Sequence, residues 1–335
     1  MLLLKPHKPR TVEVTRLAFS KLLTDKDATM EAIDRAYSEH GLGTLAIDGV
    51  PDYNEQRRKA LLQAWQLANL PREARRRLER PEHYFQVGWE HGEYGFKDGR
   101  DAYMGSFFSN PLSDSFLGED GKQWRNAWPT DDLPTLKPAV QDLSLTMKGV
   151  AERLARYLDV YVRGKLPSLR PDFFERTVAS TPKVNSRLIH YYPIREAFSG
   201  QWTGWHKDIG MLTCLTPALY TNEQGEEIAW SDPAVGLHAQ TKDGEVVKVQ
   251  VPKDCLIIQI GEAMEVLTGG VIKAIPHAVI PLRYRRGGPE VMIVSRNSMA
   301  LFIDPTHQDI LDIPAERSVA DLFQCCDTTL LTPKL

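Results

Sequence analysis

The sequence predicts an α+β protein, with a helical first half and a strand-rich second half of sandwich or jelly-roll type. Three observations carry this. Apolar residues recur at helical spacing through much of the first half. One stretch, 136–166, sustains that spacing with a wide apolar stripe of Val140, Leu143, Met147, Val150, Leu154, Leu158 and Tyr161. After Pro182 the pattern changes to short β-like runs punctuated by turn residues, as in two-layered or closed antiparallel folds.

In chain order, residues 1–12 are basic and Pro-containing and read as an arm. Met30, Ile33, Ala36 and Tyr37 space an amphipathic helix over Lys26–Tyr37. The run Gly43–Ile47 reads as a strand ending at the turn Asp48-Gly49-Val50-Pro51. A helix over Asn54–Leu70 puts Leu61, Ala64, Trp65 and Ala68 on one face, and Pro71 suits the first position of a short helix to Leu78. Residues 84–132, rich in Gly, aromatics, Asp and Pro, read as irregular and loop-heavy. Strands are expected at Arg187–Tyr192, Met211–Thr216, Gly236–Gln240, Val246–Val251, Cys255–Ile260, Ala274–Ile280 and Val291–Ile303, with helix again around Ser318–Phe323.

The 335 residues suffice for a substantial core, and 42% hydrophobic with 25% charged residues is ordinary for a soluble globular chain. A net charge of −3 gives no bulk attraction to nucleic acid or an anionic membrane. The opening Met1–Leu4 is too short for a signal-peptide core, and no apolar run reaches membrane-spanning length. Cys214, Cys255, Cys325 and Cys326 lack metal-type spacing, which fits a reducing interior, with a single disulfide left open. The expectation is a cytoplasmic protein.

The chemical signal is His206-Lys207-Asp208 with His277 far downstream. Two imidazoles and a carboxylate can hold one face of an octahedral iron(II) and leave the opposite positions open. His206 and Asp208 are two apart, so on an extended strand both project from one face.

Around these residues lies an ordered set: Arg187-Leu188-Ile189-His190-Tyr191-Tyr192-Pro193, then Gly210-Met211-Leu212-Thr213, Gly236-Leu237-His238 and Asp243-Gly244. Ile258-Gln259-Ile260-Gly261-Glu262, Leu267-Thr268-Gly269-Gly270, His277-Ala278-Val279 and Arg296-Asn297-Ser298 follow. Upstream stand His40-Gly41-Leu42-Gly43-Thr44-Leu45, Asp48-Gly49-Val50-Pro51 and Leu70-Pro71-Arg72-Glu73. Over about residues 14–310 this order resembles the isopenicillin N synthase-like family of non-haem iron(II)/2-oxoglutarate-dependent oxygenases. The resemblance implies a double-stranded β-helix (jelly-roll) core at 182–310, an N-terminal segment at 14–130 and one long supporting helix at 136–166. With a tail at 311–335, these are expected to form one compact unit.

Carried over by residue, the resemblance implies iron ligands His206, Asp208 and His277, and an Arg296/Ser298 pair gripping the distal carboxylate of 2-oxoglutarate. A guanidinium beside a hydroxyl suits that task. Tyr192 falls where the family has a tyrosine reaching the same co-substrate, while the family's Asn two residues earlier is His190 here. His206 and His277 stand farther apart than is usual, with the surplus in 220–232. An insertion at 283–289 makes Arg283 a rival anion partner, although the frame Arg296–Phe302 favours Arg296.

The implied activity uses iron(II), 2-oxoglutarate and O2 to hydroxylate, desaturate or cyclise a small organic substrate, releasing succinate and CO2. No nucleic-acid or membrane partner is expected, and the chain is read as a monomer or weak homo-oligomer. Tyr103, Phe107 and Phe108 are candidate pocket residues; His190 and His238 are read as core or surface, and His83 and His91 as turn residues. Alternatives are a 2-oxoglutarate-independent oxidase of the isopenicillin N synthase type, a non-catalytic binding protein on the same scaffold, and a zinc hydrolase. The Arg-x-Ser frame opposes the last.

Overall fold

The computed structural model describes residues 9–92, 100–118, 121–194, 203–230, 235–280 and 294–306. Two sheets form its centre. The larger runs Thr15–Ala18, Thr44–Asp48, Leu256–Ile260, Leu212–Leu215, Ser295–Ile303, Val184–Tyr191, Met104–Ser109, Gly88–His91. The smaller runs Arg10–Glu13, Val246–Gln250, Gly236–Gln240, His277–Ile280, Thr203–His206. Their inner faces enclose a cavity of about 270 Å³.

Strand parity divides the larger sheet. Along Ser295–Ile303 the side chains of Arg296, Ser298, Ala300 and Phe302 line the cavity, while Leu301 and Ile303 enter the helix-covered core. Arg187, Ile189 and Tyr191 line it from Val184–Tyr191, and Leu188 enters the same core. The two strands pair in register, Arg296 with Tyr191 and Ala300 with Arg187.

Helices cover the outer face. Leu136–Lys165 buries Val140, Leu143, Met147, Val150, Leu154 and Leu158 at the predicted spacing. Its last turn carries Arg163 and Lys165, cations that suit a helix C-terminus. Its Asp159 carboxylate accepts the Phe174 and Glu175 amide protons at 2.9 Å each, satisfying the first turn of Phe173–Ser180. Helices Lys26–Tyr37 and Tyr53–Ala68 are clipped to the sheet by tyrosine hydroxyls. Tyr37 donates to the Ile258 carbonyl at 3.0 Å and Tyr53 to that of Cys255 at 3.2 Å.

Two expectations change, and one surplus segment gains a structure. The segment 84–132 is not wholly irregular, because Met104–Ser109 is a buried strand of the larger sheet, paired with Gly88–His91. Its glycines and serines concealed a strand whose neighbours supply the pairing. Part of the basic arm, Arg10–Glu13, is an edge strand parallel to Val246–Gln250. The surplus at 220–232 contains a small hairpin in which Leu219–Thr221 pairs with both Glu227–Ile228 and Ser295–Asn297. The expected helix at 318–323 and the 283–289 insertion lie outside the described residues, as do Cys325 and Cys326. Cys214 and Cys255 are buried free thiols. Among the described residues no helix is long and apolar enough to cross a membrane.

Candidate active site

His206 ends one strand of the smaller sheet, and His277, just after Pro276, opens its neighbour; the two are direct cross-strand partners. Asp208 does not share that strand, as the two-residue spacing suggested, but lies in the turn that follows. The turn carries it back beneath both rings. Asp208 Oδ1 stands 3.6 Å from His206 Nε2 and 3.8 Å from His277 Nε2. One ligand atom from each of the three residues lies within 4.8 Å of the others.

Backbone carbonyls set the orientation of both imidazoles. Nδ1 of His206 faces the Gly204 carbonyl at 2.7 Å, and Nδ1 of His277 faces that of Ile275 at 3.2 Å. A carbonyl only accepts, so each Nδ1 carries the proton and each Nε2 offers its lone pair toward Asp208. The second carboxylate oxygen, Oδ2, is buried without a hydrogen-bond partner. Burial pushes the Asp208 pKa up, but the two imidazoles outweigh this and hold it at about 2. Burial pushes His277 down, against the opposing pull of Asp208. At His206 burial also acts downward, yet the contact with Asp208 prevails and raises it, with the Arg187 charge acting against. Two imidazole Nε2 atoms, which become neutral donors once a cation displaces any proton shared with Asp208, an ionised carboxylate and an orphaned buried oxygen fit a divalent cation, iron(II) included.

The turn is held by close backbone packing. Asp208 accepts the Glu262 amide proton at 2.7 Å, and Lys207 pairs with Glu265 at 3.0 Å. A Cβ on Gly261 would fall 2.0 Å from the Gly210 carbonyl oxygen and 3.0 Å from that of Asp208. Gly261→Ala should therefore displace the Asp208 turn and weaken iron(II) binding by about tenfold or more, as loss of supporting contacts commonly does. Competition with a chromophoric chelator measures this, and an unchanged affinity would show that the turn has slack.

Arg296 and Ser298 face the same cavity as the triad. Arg296 Nη1 donates to Ser298 Oγ at 3.1 Å, and its guanidinium lies 4.7 Å over the Tyr191 ring. Arg296 is buried, its Nε has no partner, and among the described residues no carboxylate pairs with it. Arg283 lies outside the described residues.

Tyr192 is not in the cavity. One residue beyond Tyr191, it falls on the opposite face and packs on the helical core. Its hydroxyl accepts from Arg75 at 3.0 Å and donates to the Ala68 carbonyl at 3.3 Å. Tyr191 lines the cavity instead, on the strand face beside Arg296. Phe107, expected at the pocket, packs against Trp128, and Phe108 lies beneath the Arg187 guanidinium. Tyr103 packs beside Met104 and Tyr191, outside the lining. Sequence reasoning missed Arg187, Tyr220 and Trp230. The last two form a wall from the 220–232 surplus, with rings 4.7 Å apart. Strand parity from Tyr191 would have found Arg187; nothing local marked Trp230.

His190 is on the outer face, buried, with Nδ1 donating to Asn297 Oδ1 at 2.8 Å. Burial pushes it down to about 4, only partly opposed by that bond. Its folded pKa lies below the unfolded value, so the unfolded chain takes up a proton first. Stability should then fall as pH drops from about 6.5 toward 4, by about 2 kcal/mol at pH 5. His190→Asn should remove that increment. Urea unfolding of both proteins near neutrality and near pH 5 tests it, and equal losses would point to another group.

Residues 184–305 match the sequence profile of the 2OG-Fe(II) oxygenase superfamily. The chain is 27% identical over 153 residues to 2-oxoglutarate-dependent dioxygenase 11 of Oryza sativa subsp. japonica, covering 46% of this chain and 37% of that protein. It is 27% identical over 262 residues to Jasmonate-induced oxygenase 4 of Arabidopsis thaliana, covering 76% and 63%. The chain thus spans less than two thirds of either relative. Among solved structures, that of JOX2 in complex with 2OG, Fe and JA superposes with a TM-score of 0.63 at 19% identity, covering 92% of this chain and 79% of that one. Fold, profile and donor set agree: residues 184–305 carry a 2OG-Fe(II) oxygenase domain.

Proposed function

We propose that the protein uses iron(II), 2-oxoglutarate and O2 to oxidise a small organic molecule, as a member of the isopenicillin N synthase-like group. One observation carries the proposal. Two inward lone pairs and a half-satisfied buried carboxylate share a cavity with an arginine that has no described carboxylate partner. The names of the relatives as 2-oxoglutarate-dependent or jasmonate-induced oxygenases support it, and JOX2 was solved with 2OG and Fe.

His206, Asp208 and His277 would hold the iron, which when bound supplies oxygen activation coupled to decarboxylation of the co-substrate. Arg296 would pair with the distal carboxylate of 2-oxoglutarate. Ser298 orients Arg296 through their hydrogen bond, and the Tyr191 ring keeps the guanidinium flat against the wall. Tyr191 replaces Tyr192 as the tyrosine beside the co-substrate. The apolar residues Leu237, Val249, Ile257 and Phe302 exclude water from the space between the sheets. The buried free thiols of Cys214 and Cys255 suit a reducing, cytoplasmic location.

The test is an anaerobic titration of the iron(II)-loaded protein with 2-oxoglutarate, followed by the visible band of the chelated keto acid. A saturable band supports the proposal. Iron binding without a band would transfer support to the 2-oxoglutarate-independent oxidase, with Arg296 and Ser298 holding a substrate carboxylate instead.

A further inference from the structure

We propose that Arg187 is the substrate's anchor, and that the substrate is an organic acid with an apolar body. The inference rests on the co-substrate role of Arg296 proposed above. Arg187 is half-buried in the cavity wall, on the same strand face as Ile189 and Tyr191. Its Nε donates to Ser106 Oγ at 3.0 Å, and Nη2 approaches the Met104 sulfur at 3.5 Å. The guanidinium lies 5.1 Å over the Phe108 ring, which fixes its plane. Among the described residues no carboxylate pairs with it, and three of its five donors have no hydrogen-bond partner there.

Charge balance points the same way. Asp208 is the sole acidic residue lining the cavity among the described residues, against Arg187, Arg296, Lys248 and Lys253. Iron(II), the Asp208 carboxylate, dianionic 2-oxoglutarate and Arg296 together sum to zero. Among the described residues Arg187 is then a cation with no carboxylate partner beside a largely apolar space, an arrangement that a bound anion relieves. The two arginines are also well separated. Arg187 pairs with Ala300, four residues along the strand from Arg296, which is roughly 13 Å at strand rise. One small dianion does not bridge that backbone span, so each guanidinium serves its own carboxylate. The apolar residues between the sheets suit the remainder of the acid.

The test uses matched probes on the iron(II)- and 2-oxoglutarate-loaded protein without oxygen. A panel of linear and aryl-substituted monocarboxylates is compared with the corresponding primary amides by calorimetry. At least one acid should bind about tenfold or more tighter than its amide, the range of a charge-assisted hydrogen-bonded pair. That preference should vanish in Arg187→Met, which keeps the stem's packing, and return in part in Arg187→Lys. A panel with no acid preferred, or a preference surviving Arg187→Met, overturns the proposal. The keto-acid band in the same samples separates the two questions. A normal band without acid preference sinks this inference alone. Acid preference at Arg187 without the band sinks the co-substrate role alone.

Discussion

Asp208→Ala will abolish iron(II) binding at working concentrations, and turnover with it, while the far-ultraviolet dichroism stays that of the native fold. The carboxylate is the single negative charge lining the cavity among the described residues, and both imidazole Nε2 atoms converge on it within 4 Å. Without it a dication would enter a partly apolar pocket with two neutral donors and no compensating charge. Loss of groups that merely orient ligands costs about 10–100-fold in metal affinity, so loss of the charged ligand should cost at least about 100-fold. His206→Ala and His277→Ala should act in the same direction. Chelator competition and succinate release measure both effects, and a variant with wild-type iron affinity would remove Asp208 from the metal site.

Arg296→Ala should raise the 2-oxoglutarate dissociation constant by about 10–100-fold, with iron(II) affinity unaltered, when followed by the keto-acid band. A charge-assisted hydrogen bond contributes about 1.5–3 kcal/mol, and a bidentate pair lies at the upper end. Arg296 is buried and already oriented by Ser298 and Tyr191, so little side-chain entropy is lost when an anion binds. Arg283→Ala should change the same constant little. The reverse pattern would make Arg283 the anchor and release Arg296 for another role.

Much of this was legible in the chain. The helix Lys26–Tyr37 was delimited to the residue by its apolar spacing, and the strand Gly236–Gln240 by its turn residues. The long helix was one residue shorter than its apolar stripe suggested. These elements obey local rules, in which a period and its punctuation suffice. Met104–Ser109 obeys none of them. Its Gly105 and Ser106 carry no strand propensity, and the segment is held by pairing with Val184–Tyr191.

The site divides in the same manner. Residue type and spacing nominated His206, Asp208 and His277, and the resemblance to a family's ordered motifs added Arg296 and Ser298. Position in space was another matter. Tyr191 and Tyr192 are adjacent and chemically identical, yet a strand places them on opposite faces, one beside Arg296 and the other against Arg75. Arg187 belongs to the cavity by the same parity, and Trp230 by the path of a hairpin. The sequence by itself determined which side chains are available for metal and carboxylate chemistry. Only the tertiary structure decided which charges face that chemistry, because side-chain direction depends on strand register, and register is settled by pairing across the whole sheet.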